Sequence, residues 1–254
     1  PKIKSKLNSD LKTMHRWLLA NKISLNATKT ELIFFRKPSN KQRPLIKIVI
    51  NGTRIVPVGS LKYLGVYLDE FLTGTAHTNL LHTKLSRANG MISKIRHYLK
   101  GNKPQLLSLY HSIFSSHMIY GCQSWGLHDN NNVNKIQTLQ NRALRLATFA
   151  DHPSSPYQHM VEIYKDLRLL KFRDLVTIKN LLFVHDYFNN NLPDSFAGYF
   201  TLSRDLHSHN TRNAALGHLY VPKTNSTKFG ENSFKLKTIH AWNEFSSKFP
   251  NLDF

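Results

Sequence analysis

The sequence predicts an α+β fold in which one helix and a small, largely antiparallel sheet come first and a mainly α-helical region follows. Three observations point there. Short β-type runs cluster before residue 70, an Asn-Gly pair separates two of them, and beyond residue 75 apolar residues recur at steps of three and four.

Leu7, Leu11, Met14 and Leu18 share one face of a helix over residues 6–21, with Ser5 or Ser9 available as its N-cap. Glu31–Phe35 is a short β-type run. Residues 46–50 and 54–58 read as strands joined at Asn51-Gly52, because these residues tolerate the positive φ angles of a tight hairpin turn. Leu61–Leu68 reads as one more strand. Leu81, Leu85, Ala88, Ile92, Ile95 and Leu99 then mark a long helix closed by Gly101, with His77, Lys84, Arg87 and Lys94 on a second stripe. Pro104 opens a helix running to about Ile119. Val133, Ile136, Ala143 and Ala147 mark another, with Lys135, Arg142 and Arg145 together on one side. Residues 151–156 form a loop and a candidate boundary. Tyr157–Tyr164 and Phe172–Asn189 look helical, Leu192–Thr227 is turn-rich, and Ser233–Phe249 makes a last helix with Trp242 and Phe245 packed inward. The expected domains are therefore 1–70, 71–150 and 151–254.

Charge dominates the composition. The 254 residues hold 35 Lys and Arg against 15 Asp and Glu, a net charge of +20. Residues 1–127 hold 20 of those cations and 4 of the acids. Such an excess suits a protein that neutralises phosphates and releases their counterions, so RNA and DNA are the expected partners, bound mainly through the first half. The 15 Phe and 10 Tyr supply enough apolar surface for a core. A single cysteine, Cys122, excludes an intrachain disulfide framework and a Cys-rich zinc knuckle, and is expected to be a small buried residue. No run approaches the ~20 apolar residues of a membrane span. The 14 His show no paired metal-ligand spacing; His207 and His209 flank one residue of a polar loop. A reducing compartment, nuclear and cytoplasmic, is expected, and Pro1 in place of Met suggests an excerpt from a longer chain.

Several motifs occur in order. Trp17–Ile23 leads to Leu25-Asn26-Ala27-Thr28-Lys29-Thr30-Glu31. Lys62-Tyr63-Leu64-Gly65 ends in Leu68-Asp69. Ser116-His117 is followed by Tyr120-Gly121 and Trp125-Gly126, then Gln140-Asn141 with Ala143 and Arg145. His209–Arg212, Tyr220–Pro222, Gly230–Phe234 and Trp242-Asn243 complete the series. As core aromatics, Trp17, Tyr63, Trp125 and Trp242 also have a purely structural reading. Together the segments resemble the part of a non-LTR (LINE-type, jockey-like) retrotransposon reverse transcriptase that lies downstream of its catalytic motif.

The resemblance implies that residues 1–70 are the end of a palm, covering motifs D and E, and that the helices from about 75 form a thumb. Lys29 matches the motif D lysine near the departing pyrophosphate, where a cation lowers the barrier. Tyr63, Leu64 and Gly65 match the segment that holds the primer end. Lys84, Arg87, Lys94, Lys135, Arg142 and Arg145 would meet the phosphates of the primer-template duplex, and the rest of the polymerase chain is a further partner. The full-length family uses Mg²⁺ held by closely spaced aspartates. No Asp-Asp pair occurs here, and the first half offers only Asp10, Glu31, Asp69 and Glu70, so no cofactor and no polymerisation by this chain alone are expected. Two alternatives stand beside this reading. One is a host-retained nucleic-acid-binding module. The other is a restriction-like endonuclease remnant around Pro193-Asp194 and Asp205, whose Pro-Asp is also a common turn.

Overall fold

The computed structural model describes residues 2–39, 47–50, 52–99, 102–126, 130–149, 156–206, 209, 211–226 and 230–250. Two compact units divide the chain, residues 1–77 and residues 78–254. The fold is α+β, with helices dominating and two small antiparallel sheets near the N-terminus.

In the first unit, α1 (Lys2–Ala20) lays Leu7 and Leu11 against a hairpin of β1 (Ile48–Ile50) and β2 (Thr53–Ile55). Ile48, Ile50 and Ile55 are its buried residues, with Leu25, Ala27 and Leu32 packed around them. Helix α1 starts before both serines, so Ser5 and Ser9 lie inside it and neither is its N-cap. It ends with Lys22 in the left-handed region and the Ile23 N–H donating to the Leu18 carbonyl, which satisfies an orphan carbonyl of the last turn. The β1–β2 ladder pairs Ile50 with Thr53, leaving a two-residue loop in which Gly52 takes φ +76°; its partner Asn51 lies outside the described residues, as does Ile46.

Two further expectations fail in this unit. Glu31–Phe35 forms no strand; Leu32 makes one parallel bridge to Pro57, and the Val58 N–H donates to the Leu32 carbonyl. Pro57 has no N–H to give, which stops a ladder there. Leu61–Leu68 is two strands, β3 (Ser60–Tyr63) and β4 (Val66–Asp69), paired antiparallel with Tyr63 opposite Val66. Leu64 and Gly65 both take positive φ, +45° and +87°, which is the turn that reverses a tight hairpin.

Helix α2 (Thr75–Tyr98) begins in the first unit and continues into the second. There it buries Leu81, Leu85, Ala88 and Ile92, as its periodicity demanded. Next come α3 (Lys103–Leu109), a π-helical turn (Tyr110–Ser115) and α4 (Ser116–Ile119), one helical run that buries Leu106, Tyr110, Phe114 and Met118. Asn102 caps its start and Pro104 sits in its first turn. After the short α5 (Cys122–Trp125), α6 (Asn130–Thr148) buries Val133, Ile136, Ala143 and Ala147. Gly101 and residues 151–155, expected as a helix end and a boundary loop, lie outside the described residues. Helices α7 (Pro156–Asp166) and α8 (Phe172–Phe188) follow. Two 3-10 turns, α9 (Arg212–Ala215) and α10 (Phe234–Lys248) close the chain. Val184, Phe200, Leu219, Leu236, Ile239 and Trp242 form a C-terminal core, so Trp242 points inward as expected, while Phe245 is only half-buried. The turn-rich stretch before α10 is held by aromatic edges, with Phe183 against Phe196, Phe200 and Phe234 at 5.1–6.1 Å.

Candidate nucleic-acid interface

Lys29 closes a 3-10 turn, Ala27–Lys29, whose geometry Asn26 dictates. The Asn26 Oδ1 accepts from the Thr28 and Lys29 backbone N–H groups at 3.0 and 3.2 Å, and from the Thr28 hydroxyl at 2.6 Å. The Lys29 side chain is exposed. The motif's asparagine therefore builds the turn that presents its lysine.

Tyr63 and Leu64 stand at the tip of the β3–β4 hairpin, 61% and 75% exposed. The opposite end of that hairpin is pinned. The Asp69 carboxylate accepts from the Phe71 and Thr73 N–H groups and from the Thr73 hydroxyl, which caps the approach to α2. Glu70 receives Arg36 Nε at 2.9 Å in a largely buried ion pair, and the Arg36 guanidinium lies 4.8 Å from the centre of the Phe71 ring. Asp69 and Glu70 thus serve local structure. Asp10 and Glu31 are exposed.

Lys84, Arg87 and Lys94 are exposed on α2. His77, expected on the same stripe, is instead buried and accepts a hydrogen bond from the Tyr67 N–H through Nδ1. Arg96 turns elsewhere and stacks on Phe149 at 4.4 Å. On α6, Lys135 and Arg142 are exposed and Arg145 is half-buried. The two helices meet where Asn89 Nδ2 donates to the Leu139 carbonyl at 3.1 Å. At about 100° per residue, Lys84, Arg87 and Lys94 each lie roughly 140–160° around α2 from Asn89. The α2 cations therefore project away from α6, and the two stripes are separate basic surfaces.

Sequence reasoning missed a buried polar network on the inner side of α6. Gln140, 1% exposed, donates to the Tyr110 hydroxyl and the Leu170 carbonyl at 3.1 and 3.0 Å, and its Oε1 accepts from the Phe172 N–H. Gln137 Oε1 shares that N–H, while Gln137 Nε2 donates to the Tyr164 hydroxyl. Tyr164 in turn donates to Asn141. Burial pushes the Tyr110 and Tyr164 phenols upward, so both remain protonated across ordinary pH. The signal was a glutamine among the apolar positions of α6. A buried amide at such a position needs partners, and here it finds the start of α8.

The remaining motifs fasten backbone to backbone. Trp125 Nε1 donates to the Tyr120 carbonyl and its ring stacks on Phe172 at 5.2 Å. Gly126 has no room for a side chain, since a Cβ there would meet the Cys122 carbonyl oxygen at 2.6 Å. Cys122 is buried, as expected, and burial raises its thiol. Trp242 Nε1 donates to the Gly217 carbonyl, and the Asn243 amide both donates to and accepts from Leu219. Asp194 and Asp205 are exposed in separate 3-10 turns, Asp205 beside Arg204 at 3.9 Å. Asn210, in the His209–Arg212 motif, and His207 lie outside the described residues. Among the described residues no three His, Cys, Asp or Glu side chains group as metal ligands, and no helix is long and apolar enough to cross a membrane.

Comparison with curated proteins agrees with the motifs. Over 158 residues the chain is 27% identical to the probable RNA-directed DNA polymerase from transposon X-element of Drosophila melanogaster, covering 60% of this chain and 16% of the relative. It is 28% identical over 174 residues to the RNA-directed DNA polymerase from mobile element jockey of Drosophila funebris, covering 67% and 18%. The jockey polymerase of Drosophila melanogaster gives 29% over 174 residues, with the same coverage. The chain thus spans less than a fifth of the length of these relatives. No family profile and no solved structure matches.

Proposed function

From the premise that the chain is homologous to part of the RNA-directed DNA polymerases of non-LTR retrotransposons, we propose that it binds the RNA–DNA primer-template duplex of such a polymerase. In this reading residues 1–70 end the palm, 71–150 form the thumb and 151–254 a C-terminal region. The observation that carries it is the pair of exposed cationic helix faces, Lys84, Arg87 and Lys94 on α2 and Lys135 and Arg142 on α6, in a chain of net charge +20. Convex helix faces of this kind meet duplex phosphates without reading sequence. Arg145, half-buried, supports the α6 face from its edge.

The hairpin tip, with Tyr63 and Leu64 exposed and Gly65 completing its turn, supports a contact with the primer end, and exposed Lys29 supports a role beside the leaving pyrophosphate. Exposed Met14, Trp17, Leu19 and Phe35 support packing against the rest of a polymerase chain. Binding, and not nucleotide addition, is the function assigned to this chain. Its sequence holds no Asp-Asp pair, and Asp69 and Glu70 are engaged with Thr73 and Arg36.

The test is binding of a labelled RNA–DNA primer-template as salt is varied, for the chain and for a variant with Lys84, Arg87, Arg142 and Arg145 changed to Ala. Tight binding is expected, with a log–log salt slope that flattens in the variant by about 0.9 for each phosphate no longer neutralised. An unchanged slope in a folded variant overturns the assignment.

A further inference from the structure

Helix α10 borders two cavities that meet at Lys237 and His240. One, about 600 Å³, opens between α10 and the segment Val221–Asn225, and is lined by Lys223, Asn225 and Asn232 as well as the shared pair. The other, about 330 Å³, lies between α10 and α8, with Arg173, Thr177 and Asn180 on its far wall. Lys237 and His240 stand three residues apart and so share a face of the helix. Both line each cavity.

The charge of this groove is positive. Arg173, Lys223 and Lys237 face Glu231 and Glu244, and Glu244 is already held by Lys248 at 2.6 Å, which also keeps its carboxyl below the usual range. Amides interleave with the cations. Asn180 is 1% exposed, and its Oδ1 accepts from Gln123 Nε2 at 3.4 Å. A Cβ on Gly230 would meet the Thr224 side chain at 2.6 Å, and one on Gly126 would meet Phe172 and Val176 at 3.2 Å.

We propose that the two cavities flanking α10 together form a groove that is a single-strand nucleic-acid site, separate from the duplex-binding cationic faces of α2 and α6. A concave track with spaced cations and amide donors suits an extended, flexible phosphodiester strand, whose backbone follows the cations while its base and sugar edges reach the amides. A duplex, with phosphates on a stiff cylinder, fits the convex stripes instead.

The experiment uses the whole chain with labelled oligouridylate and oligodeoxythymidylate of about twelve nucleotides, a length within single-strand site sizes, and the RNA–DNA duplex in parallel. Lys223→Gln with Lys237→Gln is expected to weaken single-strand binding at least tenfold and to lower its salt slope by about 1.4, at roughly 0.7 per neutralised phosphate. Duplex binding should stay within twofold. Lys165→Gln with Lys235→Gln removes the same charge at positions that line neither cavity, and should change single-strand binding less than threefold. Equal losses in both double variants, parallel losses of duplex and strand, or no single-strand binding at low salt would each overturn the proposal. RNA bound more tightly than DNA identifies a ribose contact; equal affinities identify backbone recognition, and either supports the groove. The α2 and α6 alanine variant separates the two assignments, since it should weaken the duplex alone.

Discussion

In residues 78–254, Trp125 and Trp242 are each 3% exposed and each gives its indole N–H to a backbone carbonyl, of Tyr120 and Gly217. In residues 1–77, Trp17 and Tyr63 are 60% and 61% exposed. All four belong to comparable short motifs, and all four were eligible as core aromatics. The second unit uses its signature residues to lock one backbone segment onto another. The first unit spends its tight local bonding on turns, and leaves the large side chains at the surface. Asn26 shapes the turn at Lys29, Asp69 caps the approach to α2, and Leu64-Gly65 reverses the hairpin. A motif of the first kind reports fold, and one of the second reports presentation.

The widest test of that contrast compares two tryptophans. Trp242→Ala removes a buried ring from the C-terminal core and orphans the Gly217 carbonyl, at a cost of about 3–5 kcal/mol. Trp17→Ala should change stability by no more than about 0.5 kcal/mol. Urea unfolding followed by circular dichroism reads both, with each unit fitted to its own transition. Similar midpoints for the two variants would erase the distinction between the units.

Gln140→Leu asks whether the Gln-Asn motif is a clamp. Leucine fits an apolar helix face, yet it leaves the Leu170 carbonyl without its donor and the Phe172 N–H with Gln137 alone. A destabilisation of about 1–3 kcal/mol is expected, since the cost lies in the partners left unpaired. Amide exchange at Phe172 should accelerate with it. Stabilisation would mean that the network is incidental and that an apolar side chain serves as well.

How much of this was legible in the sequence depends on what each signal encodes. Period carried the helices: the stripe from Leu81 to Ile92 and that from Val133 to Ala147 are buried where spacing placed them. Period could not separate one strand from two at Leu61–Leu68, because the turn rests on Leu64, a residue that rarely takes positive φ. Nor could it show that Pro57 would keep Leu32 from extending a ladder. The candidate cations were visible one helix at a time. Their grouping was not, since the direction of the α2 stripe depends on Asn89 docking against α6. His77 illustrates the same limit, because its place beside Tyr67 comes from the β4–α2 connection and not from helix phase.

Leu64 offers the smallest effect and the sharpest separation of fold from presentation. An L-residue in the left-handed region costs about 1–2 kcal/mol, and asparagine visits it far more readily. Leu64→Asn would create the Asn-Gly turn that two-residue hairpins favour, and the side chain it removes is 75% exposed, so little burial is forfeited. The first unit should gain up to about 1 kcal/mol in urea. If Leu64 is kept to touch the primer end, the same variant should bind the RNA–DNA duplex several-fold more weakly while being the more stable protein. Gains in both would make the tip an unoptimised turn, and a fall in stability would show that Leu64 supports the hairpin despite its exposure.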